Sequence, residues 1–579
     1  MFNKRPLKIF LALTAGLVLS LSFTNCGADS FQLNLASTGV NSVTGNSQLQ
    51  GADPLFSLSW FFENTGQSVF SPRGGTIGED LNVIPVWQQN LFGQGIRIQV
   101  SDTGVEDLHE DLRINYSTQT DSKDYTLAAP YLSATSRPRL AGDNHGTSVA
   151  GLIAAVHNNS LGSRGVASQA TLTNANFLSG SVVQSDAVYL DQLQGTFDIS
   201  NMSWGIRQNT FGLRNTSWET ILRNQVQTGR SNRGKIYVKA AGNDFLVACR
   251  GTTNVPCVGN AGFDPDANTP YTINVGALDS TGLTASYSSP GSNTWVTSFG
   301  GAFGTDSPAM ITADRSTCDV GYARSQSTSP LVFERGQNGN TGCNYTSTFN
   351  GTSSAAPLVS GTVALLLQLK PELTWRDIKY ILARSARQPA FQTVNPINHP
   401  LGEPVPAGYV WEQPWIVNSA GIRFHNWFGF GKVDATAAIN FTQSYVSPFG
   451  PYQETNWAHE AAGLNVTVPD FTAAGAVSTL SVNQSLRAEA VQLRVWITHN
   501  DVSELALELT SPTGTKSILI NGRNSLRGLP NYQGELFLSN AFYRELITGI
   551  WTLRVVDLKT GNPTGTLTRW MLNFAGSAQ

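Results

Sequence analysis

From residue 53 to about residue 441, strand-like and helix-like segments alternate along the chain. Gly95–Val100 reads as a strand, and Gly146–Val156 reads as a helix with small residues on one face. Lys235–Val238 reads as another strand, and Leu358–Leu369 is apolar nearly all round, which predicts a buried central helix. This alternation indicates an α/β domain. After about Tyr445 the period changes. Val491, Leu493, Val495 and Ile497 alternate with Gln492, Arg494 and Trp496. Leu505, Leu507 and Leu509 repeat the pattern, as do Trp551, Leu553 and Val555. Period-two runs separated by turns such as Ser511-Pro512-Thr513-Gly514-Thr515 predict an all-β sandwich.

The N-terminal segment has a different character. Lys4, Arg5 and Lys8 precede an apolar run through Ile9, Val18 and Phe23, the charged-then-apolar order of an export signal. Phe23-Thr24-Asn25-Cys26-Gly27 resembles a bacterial lipoprotein box, with Asn25 an unusual residue before the cysteine, so Cys26 is the expected lipid-attachment site. Residues 28–52 are polar and without period, and read as a flexible tether. The expected organisation is a signal peptide (1–25), a tether (26–52), an α/β domain (53–444) and a β-sandwich (445–579). With Cys26 set aside, four cysteines remain: Cys249, Cys257, Cys318 and Cys343. An oxidising compartment favours two disulfides. Three pairings are open, and Cys249–Cys257 with Cys318–Cys343 is preferred because each closes a short loop. The net charge is only -3 and no basic stripe is present, so nucleic-acid binding has no support.

Three short motifs carry chemistry. Ser101-Asp102-Thr103-Gly104 ends a strand, Asp143-Asn144-His145-Gly146-Thr147 starts a helix, and Gly351-Thr352-Ser353-Ser354-Ala355-Ala356-Pro357 opens the long apolar helix. An isolated Asp in such a turn is usually structural, and so is an isolated His. Together they complete a catalytic logic: serine needs a base to take its proton, and the base needs an anion to fix its tautomer. A serine at a helix start also gains a backbone N–H and the positive end of the helix dipole, which suits an oxyanion. Asn243, in Ala240-Ala241-Gly242-Asn243, offers a side-chain amide for the same purpose.

These motifs, in the order Asp–His–Ser, resemble the subtilisin-like peptidases and more closely their kexin/furin branch. Asp53-Pro54-Leu55-Phe56 with Trp60, Asp80-Leu81-Asn82-Val83 with Trp87, Leu373-Thr374-Trp375-Arg376-Asp377 and Gly429-Phe430-Gly431-Lys432-Val433-Asp434-Ala435 extend the likeness. The C-terminal β region, through Ser511–Thr515, Gly549-Ile550-Trp551, Asp557 and Trp570, resembles the P domain that accompanies these peptidases. The resemblance implies a seven-stranded, mainly parallel sheet flanked by helices, a jelly-roll C-terminal domain, and a serine endopeptidase acting on proteins. It implies that Ser203-Trp204-Gly205 pairs with extended substrate. It also implies a Ca²⁺ site built from the side chains of Asp53, Asp111 and Asn159 and the carbonyls of Val156, Leu161 and Ser163. A core-aromatic role for Trp204 is compatible with the edge role. The expected state is a monomer, reaching a membrane only through its lipid anchor, at the outer membrane or cell surface.

Three departures from the branch bear on mechanism. Thr103 and Gln208 stand where these relatives carry acids, and Ser289 stands where they carry an acidic ligand of a second calcium site. The 28–52 stretch is too short to fold as the branch's inhibitory prodomain. Loss of acids predicts broader cleavage than after paired basic residues, unless Asp143 and Asp244 restore a basic preference. Two competing readings are a catalytically silent surface-binding protein on a peptidase fold, and a P domain that is itself a glycan- or surface-binding module. The complete triad with Asn243 favours the enzyme.

Overall fold

The computed structural model describes residues 23–24, 53–212, 215–389, 398–561 and 564–578. Cys26 and residues 28–52 lie outside them. The α/β part is organised by one sheet in the order Val296–Phe299, Thr272–Leu278, Ile236–Ala240, Ile199–Met202, Arg97–Ser101, Thr171–Ala175, Ser122–Lys123 and Leu132–Ser133. The first seven strands run parallel, and the two-residue Leu132–Ser133 adds an antiparallel edge. The sheet therefore has eight strands rather than seven, because this edge strand is too short to leave a periodic signature. The central strands are buried on both faces even where, as in Arg97–Ser101, polar and apolar residues alternate.

The helix Thr352–Leu369 lies in the core, with Thr352 to Leu367 all buried. It packs on the helix His145–Ala154 and on the strands Thr272–Leu278, Ile199–Met202 and Ile236–Ala240. The helix Trp375–Ser385 begins with a reciprocal capping box between Thr374 and Asp377. Disulfides join Cys249 to Cys257 and Cys318 to Cys343.

The C-terminal part consists of two antiparallel sheets. One is built on Arg487–Thr498 between Tyr532–Ser539 and Gly565–Ser577; the other runs Ala476–Val482, Gly549–Asp557, Leu505–Thr510 and Lys516–Ile520. Val491, Leu493, Val495, Ile497, Leu507, Leu509, Trp551, Leu553 and Val555 meet in one apolar core, as their alternation requires. Phe263 of the α/β part inserts into that core. Arg376 makes a two-pronged pair with Glu489, at 2.7 and 2.5 Å, across the junction.

Candidate active site

Asp102 follows the strand Arg97–Ser101, and His145 is the first residue of its helix. The two meet because Gly146 has no side chain: a Cβ there would lie 2.4 Å from the Gly104 carbonyl oxygen. Thr103 Oγ1 accepts from the Gly146 N–H at 3.1 Å, tying the Asp turn to the helix start. His145 Nδ1 lies 2.9 Å from both carboxylate oxygens of Asp102. Both side chains are buried, and among the described residues His145 Nε2 has no hydrogen-bond partner.

Ser353 sits in the first turn of the core helix. Its hydroxyl donates to the Ser203 carbonyl at 3.1 Å, and Ser203 Oγ donates to the Ser353 carbonyl at 2.9 Å. The second bond follows from Pro357. Proline has no N–H to give to the carbonyl four residues back, so the Ser353 carbonyl is left open for Ser203 inside the helix. Asn243 Oδ1 accepts from both the N–H (2.9 Å) and the hydroxyl (2.8 Å) of Thr352. Only the amide oxygen can accept, so the orientation is fixed and the NH₂ end is left to donate elsewhere.

Residues 93–431 match the subtilase family model, and residues 488–574 match the proprotein convertase P-domain model. The chain belongs to the subtilase family. The extracellular serine protease of Aeromonas sobria is 33% identical over 558 residues, covering 89% of this chain and 85% of that protein. The crystal structure of the A. sobria serine protease superposes with a TM-score of 0.83 at 30% identity, over 94% of this chain and 99% of that one. A further structure is of that protease in complex with a chaperone, also with a TM-score of 0.83. Human proprotein convertase subtilisin/kexin type 4 is 26% identical, over 91% of this chain and 61% of its own. This subtilase is thus a serine endopeptidase with a C-terminal P domain.

The other expected site residues fall in two groups. Asp53, Asp111 and Asn159 are brought together. Asn159 Nδ2 donates to Asp111 Oδ1 at 2.7 Å, and Asp53 accepts the N–H groups of Asn158 and Asn159 at 2.9 and 3.0 Å. The loop bearing Val156, Leu161 and Ser163 runs against Asp111. The Val156 N–H donates to the Asp111 carbonyl at 2.9 Å, and the Ser163 N–H bonds its carboxyl group. Arg164, which the resemblance did not flag, pairs with Asp53 at 2.6 Å. Asp111 Oδ2 is buried without a hydrogen-bond partner among the described residues. Burial first, then the charges of Asp53 and Glu110, push its carboxyl group up to about 8. A buried carboxyl oxygen left open beside Asp53 and Asn159 is the feature here that fits a hard cation.

Around the expected specificity pocket, Gln208 donates to the Ala241 carbonyl (2.8 Å), and its N–H binds Asp244 at 2.7 Å. Ser289 Oγ accepts the Asp244 N–H at 3.0 Å. The Asp143 carboxylate is taken up by hydrogen bonds within its own loop region. It accepts from Arg139, Leu140 and Gly180 N–H groups and from the Ser179 hydroxyl, and so fastens a loop. The Trp204 ring is core, 1% exposed and packed against Phe177 and Trp218. Sequence reading missed Lys239. Its one signal was a cation inside the apolar strand Ile236-Tyr237-Val238-Lys239-Ala240.

Proposed function

We propose that this subtilase hydrolyses peptide bonds with Ser353 as nucleophile, His145 as the base that carries its proton, and Asp102 holding the histidine tautomer. Asn243 Nδ2 and the Ser353 N–H stabilise the oxyanion. The observation that carries this reading is the pairing of His145 Nδ1 with Asp102, which leaves a buried, unpartnered Nε2 as acceptor. In this reading the Ser353 hydroxyl leaves the Ser203 carbonyl and donates to that nitrogen when the site turns over. Substrate lies along Ser203–Trp204–Gly205. This is supported by the antiparallel pairing of Phe23–Thr24 with Gly205–Ile206, which places an extended segment on that edge. A fluorophosphonate probe should label the native protein at Ser353 and leave Ser353→Ala unlabelled. A native protein that resists the probe would support the silent surface-binding reading instead.

Asp53, Asp111 and Asn159, with carbonyls of Val156, Leu161 and Ser163, would hold Ca²⁺. The ion would supply positive charge beside Asp111 and tie the segment at Asp53 to the core. With Thr103 and Gln208 in hydrogen bonds and Asp143 committed to its loop, Asp244 is the one of these positions that retains an acid beside the pocket. Broad cleavage of extended segments is the expected specificity, and a peptide library scored at the two positions before the cut checks it. The domain limits are those given above, with residues 53–444 catalytic and 445–579 the P domain. Cys26 is read as the lipid anchor of a monomeric protein at the outer membrane or cell surface. Loss of the Cys26→Ser variant from the membrane fraction is the corresponding check.

A further inference from the structure

We propose that Lys239 is a positioning residue for substrate docking: its buried ammonium holds the Trp204 carbonyl inward and thereby turns the hydrogen-bonding groups of Gly205 outward. The proposal rests on the reading that Ser203–Trp204–Gly205 binds substrate.

Lys239 is fully buried in the central sheet, on the strand Ile236–Ala240. Its Nζ donates to the Trp204 carbonyl at 2.7 Å and pairs with Asp264 Oδ2 at 2.9 Å. It also lies 4.6 Å from the centre of the Trp204 ring. Burying an ammonium costs several kcal/mol unless it is paired and hydrogen-bonded. A methionine would fill similar volume without that penalty, so packing alone gives no reason for a charge here.

Backbone geometry supplies the reason. In extended chain, successive carbonyls point to opposite sides. The Ser203 carbonyl faces the active site, where it accepts the Ser353 hydroxyl. The Trp204 carbonyl faces Lys239. On that alternation Gly205 presents its own groups away from Lys239, and in the structure it pairs with Thr24. The underside of Gly205 rests on the ion pair: a Cβ at Gly205 would lie 3.1 Å from Asp264 Oδ2 and 3.5 Å from Lys239 Nζ. The edge is thus fastened at both ends. The paired hydroxyls and carbonyls of Ser203 and Ser353 hold it to the nucleophile, and Lys239 fixes the rotation of the next peptide. Main-chain pairing on such an edge gives affinity without demanding one sequence, so the orientation of the peptide groups governs KM for long substrates.

The test compares Lys239→Met with the double variant Lys239→Met/Asp264→Asn, which also removes the carboxylate left unpaired in the single variant. Each is assayed on an extended peptide and on a short acyl ester that reaches only the position before the cut. The expected result is a loss of about tenfold in kcat/KM on the peptide, the scale of one main-chain hydrogen bond, carried by KM. The ester should lose much less. An equal loss on both substrates, or no loss on the peptide in a folded double variant, overturns the role of Lys239. Peptides N-methylated at successive amides upstream of the cut, tested on the native enzyme, separate this from the underlying reading. If no N-methylation slows cleavage, the edge does not pair with substrate, and both readings fail together.

Discussion

The two parts of the molecule treat buried carboxyl groups differently. In the C-terminal β part, Glu489 faces Arg376 of the α/β part, Glu508 faces Arg554, Glu504 faces Lys559 and Asp557 faces the His499 ring, while Glu545 is buried with no ion pair among the described residues. The α/β part also pairs Asp53 with Arg164 and Asp264 with Lys239, but it leaves Asp111, Asp314 and Glu412 buried with no ion pair among the described residues. Burial pushes each of the three up to about 8. Asp314 is held by the N–H groups of Ala323 and Arg315, at 2.7 and 2.8 Å. Asp111 and Glu412 each keep an oxygen without a partner. The β part answers most of its buried carboxyl groups with basic side chains, one of them Arg376 reaching over from the α/β part. The α/β part leaves charge and hydrogen-bonding capacity open, and the same is true of His145 Nε2.

The sharpest way to probe that contrast is to delete an open group and watch activity and stability separately. Ser353→Ala removes a hydroxyl from the site without touching either apolar core. Turnover should fall on the order of a millionfold, the scale established for the subtilisin triad, while thermal unfolding stays close to native. A large stability loss would mean that the reciprocal Ser203–Ser353 bonds serve packing first.

A smaller effect is expected at Asp111. If calcium answers that carboxylate, adding it stabilises the fold by mass action, by about 2.7 kcal/mol at a hundred times the dissociation constant. Chelation should lower the melting temperature of the native protein, and Asp111→Asn should remove most of that difference. A melting temperature indifferent to chelation in the native protein would place the compensating charge elsewhere, with Arg164 as the nearest candidate.

Much of this architecture was legible from residue pattern. The alternation of Val491 to Ile497 lies within the strand Arg487–Thr498, and the apolar run from Leu358 lies within the buried helix. Asp102 and His145 lie 43 residues apart, and the family resemblance of their motifs, not periodicity, joined them in the sequence. What escaped is contact between residues outside such motifs. Lys239 meets Trp204 through the neighbouring strands Ile199–Met202 and Ile236–Ala240, 35 residues apart in sequence. Arg164 reaches Asp53 across 111 residues. Asp143 stands two residues before His145, which left open an acid at the pocket; the fold places its carboxylate against the 139–140 and 179–180 backbone. Proximity in sequence to a catalytic residue does not fix direction, whereas periodicity does.

The smallest expected effect, and the one that most directly tests whether the two parts differ, is at Glu412 beside the C-terminal domain. Glu412 Oε1 accepts from Gln413 N–H and Asn426 Nδ2, at 2.9 and 3.0 Å. Asn521 of the β part bonds the same carboxyl group, and Lys516 lies close enough to act on its charge. Glu412 Oε2, Asn426 Oδ1 and Asn521 Oδ1 all lack partners among the described residues. A proton on the carboxyl group fits this set of acceptors, because it neutralises the charge and supplies a donor. With the folded value near 8 and the ordinary value 4.5, the folded chain holds this proton across that window while the unfolded chain releases it. The contribution is therefore fully present below pH 4.5 and is lost as pH rises through about 8. Glu412→Gln keeps the shape, is neutral at every pH and offers its NH₂ to the open oxygens. Its melting temperature should match the native protein near pH 5 and exceed it by a few degrees near pH 9. Parallel curves for the two proteins across that range would show that Glu412 is already ionised and compensated, and the contrast would then end at the active-site side of the molecule.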